Sequence, residues 1–302
     1  MSPAPLRLAT RSSPLARCQA DRVAAALGRV MPAQPVEIVL VSTIGDRRRE
    51  VPIAELAGRG VFTSEVDAAL LDGRADLAVH SAKDLPAAPD DGALVLCAVP
   101  ERADVRDALV GRPLAELAPG ALVRTGAVRR RAQLAAHRPD LAFGELRGNI
   151  GTRLDRVPPN GAVVVALAAL VRLGLEDRVA EVLSTEIVLP QVGQGAIALR
   201  ARAEDERAID AARALDDVDA HRAVLAERAF LATLGGGCDA PVGALARLSD
   251  GGVAIDGLVA SRDGRTVLRR SHAGRDPVET GRECAQLLLA HDGALALLEG
   301  AG

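Results

Sequence analysis

The stretch LGGGCDAPVGA, residues 234–244, places a cysteine directly after three glycines. Because glycines carry no side chains, they leave the Cys238 thiol free to protrude beyond a predicted helix. A thiol presented in this way suits nucleophilic chemistry or the covalent attachment of a group. A free cysteine is also commonly a small hydrophobic residue buried in a turn. The residues alone leave both interpretations open.

Cationic and hydroxyl-bearing residues follow most of the predicted strands. In open α/β sheets, ligands bind beyond the carboxyl ends of the strands, where helix N-termini favour anions. Residues 122–156 contain eight arginines and three acidic residues, although the whole chain has a net charge of −3. The sequence therefore predicts a site for a small polyanion, and arginine suits carboxylates and phosphates alike. The residues after the strands are Arg11, Ser12, Ser13, Lys83, Asp84, Arg124, Thr125, Arg147, Gly148, Asn149, Gly151, Thr152, Arg153 and Arg172.

Asp84 is an acidic residue among these cations, after the segment DLAVHS. It is either the ion-pair partner of a neighbouring cation or a catalytic group that stabilises a developing positive charge or handles a proton. His80 lies inside the preceding strand, and we interpret it as a structural or packing residue. The sequence does not decide between the two interpretations of Asp84.

The composition argues against several classes of protein and of site. The net charge of −3 argues against general binding of nucleic acid. The four cysteines are far apart and form no CxxC pair, so we expect neither a zinc site nor structural disulfides. The N-terminus lacks a signal-peptide pattern, and no run reaches about 18 apolar residues. We expect a cytoplasmic protein that binds no membrane, and nothing in the sequence requires more than a monomer.

The elements that must position these residues alternate between apolar strands and amphipathic helices. Strands are predicted at 6–10, 36–43, 75–81 and 94–100, with helices at 12–30 and 62–74. Ser12 or Ser13 would cap the first helix, with Pro14 in its first turn and Val23, Leu27 and Val30 on one face. A similar pattern follows, with strands or strand starts at 107–110, 121–126, 142–148 and 161–170 and helices at 127–138 and 151–157. This alternation predicts mostly parallel sheets covered by helices.

The last third of the chain has a different pattern. A helix from about Asp219 to Leu234 precedes alternating segments at 241–249, 252–261 and 265–272 and a helix at 277–291. We therefore predict two similar doubly wound α/β domains, like those of periplasmic binding proteins, plus a small α+β C-terminal domain with an antiparallel sheet. Residues 186–202, broken by Pro190, Gly193 and Gly195, would return the chain to the first domain. The predicted domains are 1–99 with 195–215, then 100–194, then 216–302.

Six long runs in this order make the chain resemble the porphobilinogen deaminase family, also called hydroxymethylbilane synthases. The resemblance extends over nearly the whole chain, and the motifs are highly specific. The runs are LRLATRSSPLA (6–16), GRGVFTSEVDAALLDGRADLAVHSAKDLP (58–86), ELRGNIGTRL (145–154), ALAALVRLGLEDR (166–178), LPQVGQGAIAL (189–199) and AERAFLATLGGGCDAPVGA (226–244).

The resemblance implies that Cys238 holds a dipyrromethane cofactor through a thioether. Four molecules of the substrate, porphobilinogen, are added head to tail with loss of ammonia from each. Hydrolysis then releases hydroxymethylbilane, a linear tetrapyrrole of porphyrin and heme biosynthesis. The family assembles its cofactor from pyrroles of its own substrate, so neither a metal nor a nucleotide is implied.

The resemblance also assigns roles to individual residues. Asp84 matches the catalytic aspartate, and each pyrrole carries an acetate and a propionate that cationic residues would bind. Phe62 matches a loop residue near the growing chain, with core packing as its alternative, and Gln194 matches a hinge position that lines the cleft. The implied cofactor-binding residues are Cys238, Ser81, Lys83, Asp84, Thr125, Arg129, Arg130, Arg147 and Gly148. The implied substrate-binding residues are Arg11, Ser13, Phe62, Arg147, Arg153, Arg172 and Gln194.

The chain departs from the family at RTGAVRR, residues 124–130, where the family commonly reads close to GTSSLRR. Arg124 replaces a glycine, and Gly126 and Ala127 replace hydroxyl residues expected to touch the cofactor. Arg124 could supply the missing contact or crowd the site. Arg59 and Ser64 stand where lysine is common. The alternative function is non-catalytic anion binding by the same two lobes, although such a protein would have no use for Cys238.

Overall fold

The computed structural model describes residues 3–43, 63–87, 92–235, 240–249 and 251–299. It divides into two compact units, one formed by Met1–Ala103 and Ala196–His221 and the other by Asp104–Gly195 and Arg222–Gly302. The first unit is therefore discontinuous in sequence. The division of the remaining residues into two further domains, 100–194 and 216–302, stays a prediction.

The chain begins with alternating strands and helices. These are β1 (Leu6–Arg11), α1 (Pro14–Val30), β2 (Val36–Val41), α2 (Ser64–Leu71), β3 (Leu77–Ser81) and β4 (Leu94–Ala98). The second unit then begins with β5 (Asp107–Gly111), β6 (Leu122–Arg124), α3 (Val128–His137), β7 (Ala142–Gly144), α4 (Ile150–Leu154), β8 (Ala162–Ala166), α5 (Leu167–Arg172) and β9 (Glu181–Val182).

The chain then returns to the first unit before it ends in the second. The returning elements are β10 (Ile197–Arg202) and α6 (Glu206–Arg213). Helix α7 (Val218–Leu234) follows them. The last elements are β11 (Val242–Ser249), β12 (Gly252–Ala260), β13 (Val267–Gly274), α8 (Pro277–His291) and α9 (Ala294–Glu299).

The sheet of the first unit has the strand order β2-β1-β3-β10-β4. Strands β2 and β3 run parallel to β1, whereas the returning strand β10 is antiparallel to both β3 and β4. The sheet is therefore mixed, because the strand that returns from a distant part of the sequence enters it in the opposite direction. Apolar side chains such as Leu8, Leu77 and Leu199 are fully buried in its core.

Helix α1 begins as its sequence predicts. Ser13 is the N-cap, its Oγ accepts a hydrogen bond from the Ala16 N–H at 3.4 Å, and Pro14 is the first helical residue. Val23 and Leu27 are buried against the sheet. Val30, the last residue of the helix, is exposed, so the buried part of this face ends at Leu27.

The second unit contains a sheet of similar size with the order β7-β6-β8-β5-β9. Strands β7 and β8 are parallel to β6, and β5 is antiparallel to both β8 and β9. The predicted strand at 161–170 is only half strand: β8 ends at Ala166, and α5 begins at the next residue. Because this segment is apolar throughout, its periodicity could not show where the strand ends.

The C-terminal part of the second unit is an antiparallel sheet with the order β11-β12-β13. Phe230 of α7 is fully buried in a core with Val259 of β12 and Cys284 and Leu288 of α8. Two α/β sheets and a separate antiparallel sheet with helices confirm the predicted fold class. In the described part of the chain, no helix combines the length and apolar character needed to cross a membrane.

Two helical glycines allow a test of this packing. A Cβ at Gly281 of α8 would overlap the carbonyl oxygen of Ala226 in α7, whereas a Cβ at Gly28 of α1 would meet no atom within 4 Å. Gly281→Ala should lower the free energy of unfolding by about 1–3 kcal/mol. Gly28→Ala should raise it by roughly 0.5–1 kcal/mol, because alanine favours the helix. Urea unfolding measures both, and equal effects of the two substitutions would contradict the close approach of α7 and α8.

Candidate functional site

A pocket lies in the first unit at the carboxyl ends of β1 and β3. Because these strands are parallel neighbours, the residues that follow them meet at one edge of the sheet. The pocket is lined by Arg11, Ser13, Leu15, Ala16, Gln19, Val79, His80, Ser81 and Asp84. The structure thus brings together four of the predicted site residues of this unit, Arg11, Ser13, Ser81 and Asp84.

Asp84 contributes a carboxylate that has no partner among the described residues. It ends a 3-10 turn, Ala82–Asp84, that directly follows β3, and it is half-buried. Among the residues that the structure describes, none donates a hydrogen bond to this carboxylate or forms an ion pair with it. The interpretation of Asp84 as a salt-bridge partner therefore has no support in the described part of the chain. The carboxylate is available to a ligand, and Lys83 lies beside it in the same turn.

Gln19 is a pocket residue that the sequence did not single out. It lies on the buried face of α1, where its Nε2 donates to Ser81 Oγ at 2.9 Å and its Oε1 accepts from Ser81 Oγ at 3.2 Å. One signal was present in the sequence, because a glutamine stands between Ala16 and Val23 on an otherwise apolar helix face. Ser81 is thereby held in place at the end of β3.

His80 lies on the other face of the sheet. Successive residues of a strand point to opposite faces, so the ring of His80 points away from the face on which Ser81 meets α1. Its Nε2 lies 2.9 Å from Asp67 Oδ1 of α2, and the other oxygen of Asp67 accepts from Arg200 of β10 at 2.5 Å. These contacts agree with a structural role for His80.

A buried ion-pair cluster is the main polar feature of the second unit. Asp107, the first residue of β5, is fully buried, and its two oxygens accept hydrogen bonds from Arg129 and Arg130 at 2.8 Å each. The two arginines lie in the first turn of α3, and both are at least nine-tenths buried. Arg129 also donates to the carbonyl oxygen of Leu189, and Arg130 to that of Val164.

The charges of this cluster do not balance. Burial alone raises the pKa of Asp107, but the charges of Arg130 and Arg129 and their hydrogen bonds outweigh it and hold that pKa well below its usual range. Two guanidinium groups therefore face one carboxylate, which leaves a surplus of one positive charge. The Nε–H groups of both arginines are buried and have no acceptor among the described residues. Such donors are rarely left unpaired.

Gln194 completes this cluster. Its Nε2 donates to Asp107 Oδ1 at 2.8 Å and to the carbonyl oxygen of Val105 at 2.7 Å, and its side chain is fully buried. The structure therefore places Gln194 on Asp107, and a contact with substrate stays a prediction. Arg172 of α5 lies near the same segment and donates to the carbonyl oxygen of Gly195 at 2.6 Å.

The other predicted residues of this unit lie in the loops after β6 and β7 and in the short helix α4. The Thr125 N–H donates to the Gly144 carbonyl at 3.0 Å, and Thr125 Oγ1 accepts from the Ala127 N–H at 3.2 Å. Arg153 Nε donates to the carbonyl oxygen of Gly148 at 2.8 Å, and Gly148 has a φ of 105°. Arg147 is half-buried. These loops hold cationic and hydroxyl side chains close to their own backbones.

The structure explains one departure from the family pattern. A Cβ at Gly126 would lie 2.5 Å from the carbonyl oxygen of Leu146, so the serine common in the family would require the backbone to shift. Ala127 is the N-cap of α3 and has no side-chain hydrogen bond there. Arg124 donates to the carbonyl oxygen of Arg156 at 3.3 Å. Gly126 thus allows the loop after β6 to lie against the backbone of Leu146.

Three positions of interest, Cys238, Phe62 and Arg59, lie outside the described residues. Two other cysteines can be compared with the predicted attachment site. Burial raises the pKa of Cys97 to about 11 and that of Cys284 to about 12, so both thiols stay protonated near neutral pH and are poor nucleophiles. The described ranges contain no group of three or more His, Cys, Asp or Glu residues that could hold a metal ion.

Comparisons with known proteins give one family. The family model described as "Porphobilinogen deaminase, dipyromethane cofactor binding domain" matches residues 6–210, and the model "Porphobilinogen deaminase, C-terminal domain" matches residues 221–290. The chain is 44% identical to a porphobilinogen deaminase of Acidithiobacillus ferrooxidans (strain ATCC 53993 / BNL-5-31), with 98% of each chain covered. It is also 44% identical to one of Roseiflexus sp. (strain RS-1), with 98% of this chain and 99% of that protein covered.

A solved structure gives a much weaker similarity. The nutrient binding protein from Burkholderia cenocepacia bound to methionine is 12% identical, with a TM-score of 0.44 over 70% of this chain and 92% of that chain. A similarity of this size supports no conclusion about function.

Removal of the charge of Asp107 tests the cluster. Asp107→Asn leaves two buried guanidinium groups without a counter-charge, so it should lower the free energy of unfolding by about 3–5 kcal/mol. Because the pKa of Asp107 is lower in the folded state, its contribution is complete above the unfolded pKa of about 4 and is lost as the pH falls through the folded value.

Urea unfolding of both proteins between pH 4 and pH 8 measures this difference. It should be constant from about pH 5 to pH 8 and become smaller in stronger acid. A variant as stable as the wild type at pH 7 would contradict the cluster.

Proposed function

Because the chain belongs to the porphobilinogen deaminase family, we propose that it is a transferase that condenses four porphobilinogen molecules head to tail on a dipyrromethane linked to Cys238. Each addition releases ammonia, and hydrolysis then frees hydroxymethylbilane. The carboxylate of Asp84, which has no partner in the described part of the chain and lies in a pocket with cationic and hydroxyl side chains, is the observation that carries this proposal.

Asp84 would act on the charge that develops during condensation. Loss of ammonia from the aminomethyl carbon leaves a cation that is shared with the pyrrole nitrogen. A carboxylate that is already in place and has no partner among the residues that the structure describes can stabilise this cation and accept hydrogen bonds from pyrrole N–H groups. Because Asp84 is half-buried, a bound pyrrole would also exclude solvent from the carboxylate and strengthen the interaction.

The residues of the second unit fit the carboxylates of a dipyrromethane. The cluster of Arg129, Arg130 and Asp107 has one surplus positive charge and two buried Nε–H donors that have no acceptor among the described residues. Carboxylates provide both a negative charge and hydrogen-bond acceptors. When bound, the dipyrromethane supplies the terminal pyrrole to which the first substrate is added. The residues proposed to hold it are Cys238, Ser81, Lys83, Asp84, Thr125, Arg129, Arg130, Arg147 and Gly148.

The proposed substrate contacts use the same chemistry. The acetate and propionate of each added pyrrole would be bound by arginines and hydroxyl groups, and aromatic contact would come from Phe62. The residues proposed to contact substrate are Arg11, Ser13, Phe62, Arg147, Arg153, Arg172 and Gln194. We further propose that the protein is a cytoplasmic monomer that binds neither nucleic acid nor a membrane.

Asp84→Asn tests the catalytic assignment. The amide is similar in size but uncharged, so the variant should retain the pyrrole adduct in an intact-mass measurement and lose turnover of porphobilinogen by about 100-fold or more. Asp21→Asn, on the exposed face of α1, is the control and should be as active as the wild type. Turnover by Asp84→Asn near the wild-type rate would remove Asp84 from the mechanism.

Cys238→Ala tests the attachment site. The purified wild type should exceed its sequence mass by two deaminated porphobilinogen units, and Cys238→Ala should have the unmodified mass while remaining folded. Cys18→Ala removes another thiol that is not fully buried and should keep the adduct. The full adduct mass on Cys238→Ala would show that the group is attached elsewhere. A wild type that carries no pyrrole, even after incubation with porphobilinogen, would favour non-catalytic anion binding.

A further inference from the structure

Gln133 is a buried polar residue that the proposed function has not used. It lies one helical turn after Arg129 in α3, and only 2% of its surface is exposed. Its Oε1 accepts the N–H of Leu189 at 2.8 Å, and its Nε2 donates to the carbonyl oxygen of Leu189 at 3.1 Å. Gln133 therefore binds both polar groups of one backbone residue, which fixes the position and orientation of that residue.

The carbonyl oxygen that Gln133 holds is also a partner of Arg129. The Arg129 Nη1 donates to the same oxygen, while its Nη2 donates to Asp107. The guanidinium plane of Arg129 is thus defined by two acceptors, one on β5 and one on the segment that begins at Leu189. A displacement of Leu189 would leave Arg129 with one acceptor and allow its guanidinium to rotate about the bond to Asp107.

The C-terminal sheet also contacts Gln133 and the segment that begins at Leu189. Arg269 of β13 donates to Gln133 Oε1 at 3.2 Å, and the Ala244 N–H of β11 donates to the Pro190 carbonyl at 3.0 Å. A Cβ at Gly243 would lie 3.0 Å from the carbonyl oxygens of Leu189 and Pro190, which shows how closely β11 covers this segment. The Leu189 segment is therefore enclosed by α3 and by the sheet that follows Cys238 in sequence.

We propose that Gln133 is a positioning residue for Arg129, and that it orients the guanidinium for the carboxylates of the pyrrole chain by holding the carbonyl of Leu189. The inference rests on the proposed function and extends it in one respect: Arg129, proposed above to hold the dipyrromethane, would also bind carboxylates of the pyrroles that are added to it. Gln133 is buried and its amide bonds to Leu189 and Arg269, so its proposed role is indirect. Its effect should therefore appear in the affinity for anionic ligands more than in the rate of the chemical step.

Gln133→Met tests this role, because methionine has a similar length and no amide. The variant should raise the KM for porphobilinogen about 3- to 10-fold, the loss expected for one disturbed hydrogen bond, and leave kcat within about twofold of the wild type. Leu134→Ala is the matched control on the same helix. Leu134 is fully buried in the core of the second unit, so its truncation should lower Tm and leave KM unchanged.

A double variant tests whether Gln133 changes KM through Arg129. If Gln133 acts through Arg129, the change from Gln133 to Met should have little further effect on KM in an Arg129→Lys background. If the increase in KM of the double variant equals the product of the increases of the two single variants, the substitutions act independently and the proposal is wrong. An unchanged KM in Gln133→Met, with a lower Tm only, would likewise reduce Gln133 to a packing residue.

Amide hydrogen exchange of the full chain supplies a readout that does not depend on turnover. In Gln133→Met, the Leu189 amide should exchange at least about 10-fold faster than in the wild type, relative to amides of β8. Leu134→Ala should not change this ratio. If the wild type failed to consume porphobilinogen, the proposed function would be wrong, and an unchanged Leu189 exchange ratio would separately overturn the role of Gln133.

Discussion

The buried carboxylate of Asp107 is the interaction on which the second unit depends. It accepts hydrogen bonds from Arg129, Arg130 and Gln194, and so it joins the start of β5 to the first turn of α3 and to the segment before β10. A buried charge is tolerated only when it is paired and hydrogen-bonded. Each partner therefore restricts the positions of the others. Arginine side chains are long and flexible, and the bonds to Asp107 fix the positions of these two guanidinium groups.

The same cluster gives the unit a chemical preference. One carboxylate against two guanidinium groups leaves a positive charge, and within the described ranges the buried Nε–H donors have no acceptor. The first unit presents the opposite case, a carboxylate at Asp84 that has no partner among the described residues. The dipyrromethane proposed as the cofactor has both carboxylates and pyrrole N–H groups, so each unit has a group that matches one part of its chemistry.

The positions of residues on strands and helices could be predicted from the sequence more readily than the partners of their side chains. The capping of α1 by Ser13 and the placement of Asp84 after β3 follow from local rules, because a cap and a strand end are short-range features. The pairing of Arg129 and Arg130 with Asp107 joins residues more than 20 positions apart, and no periodicity reveals it. Gln19 and Gln133 were missed for the same reason. The start of α5 was missed because an apolar strand and an apolar helix look alike in sequence.

The most direct test of this account is a crystal structure of the purified protein with the dipyrromethane attached. The account predicts that a carboxylate oxygen of the bound group lies within about 3.2 Å of a guanidinium nitrogen of Arg129 or Arg130, while Asp107 still bridges the two arginines. It would be contradicted by a bound group whose carboxylates are held only by other residues, with both guanidinium groups engaged solely by Asp107 and the backbone.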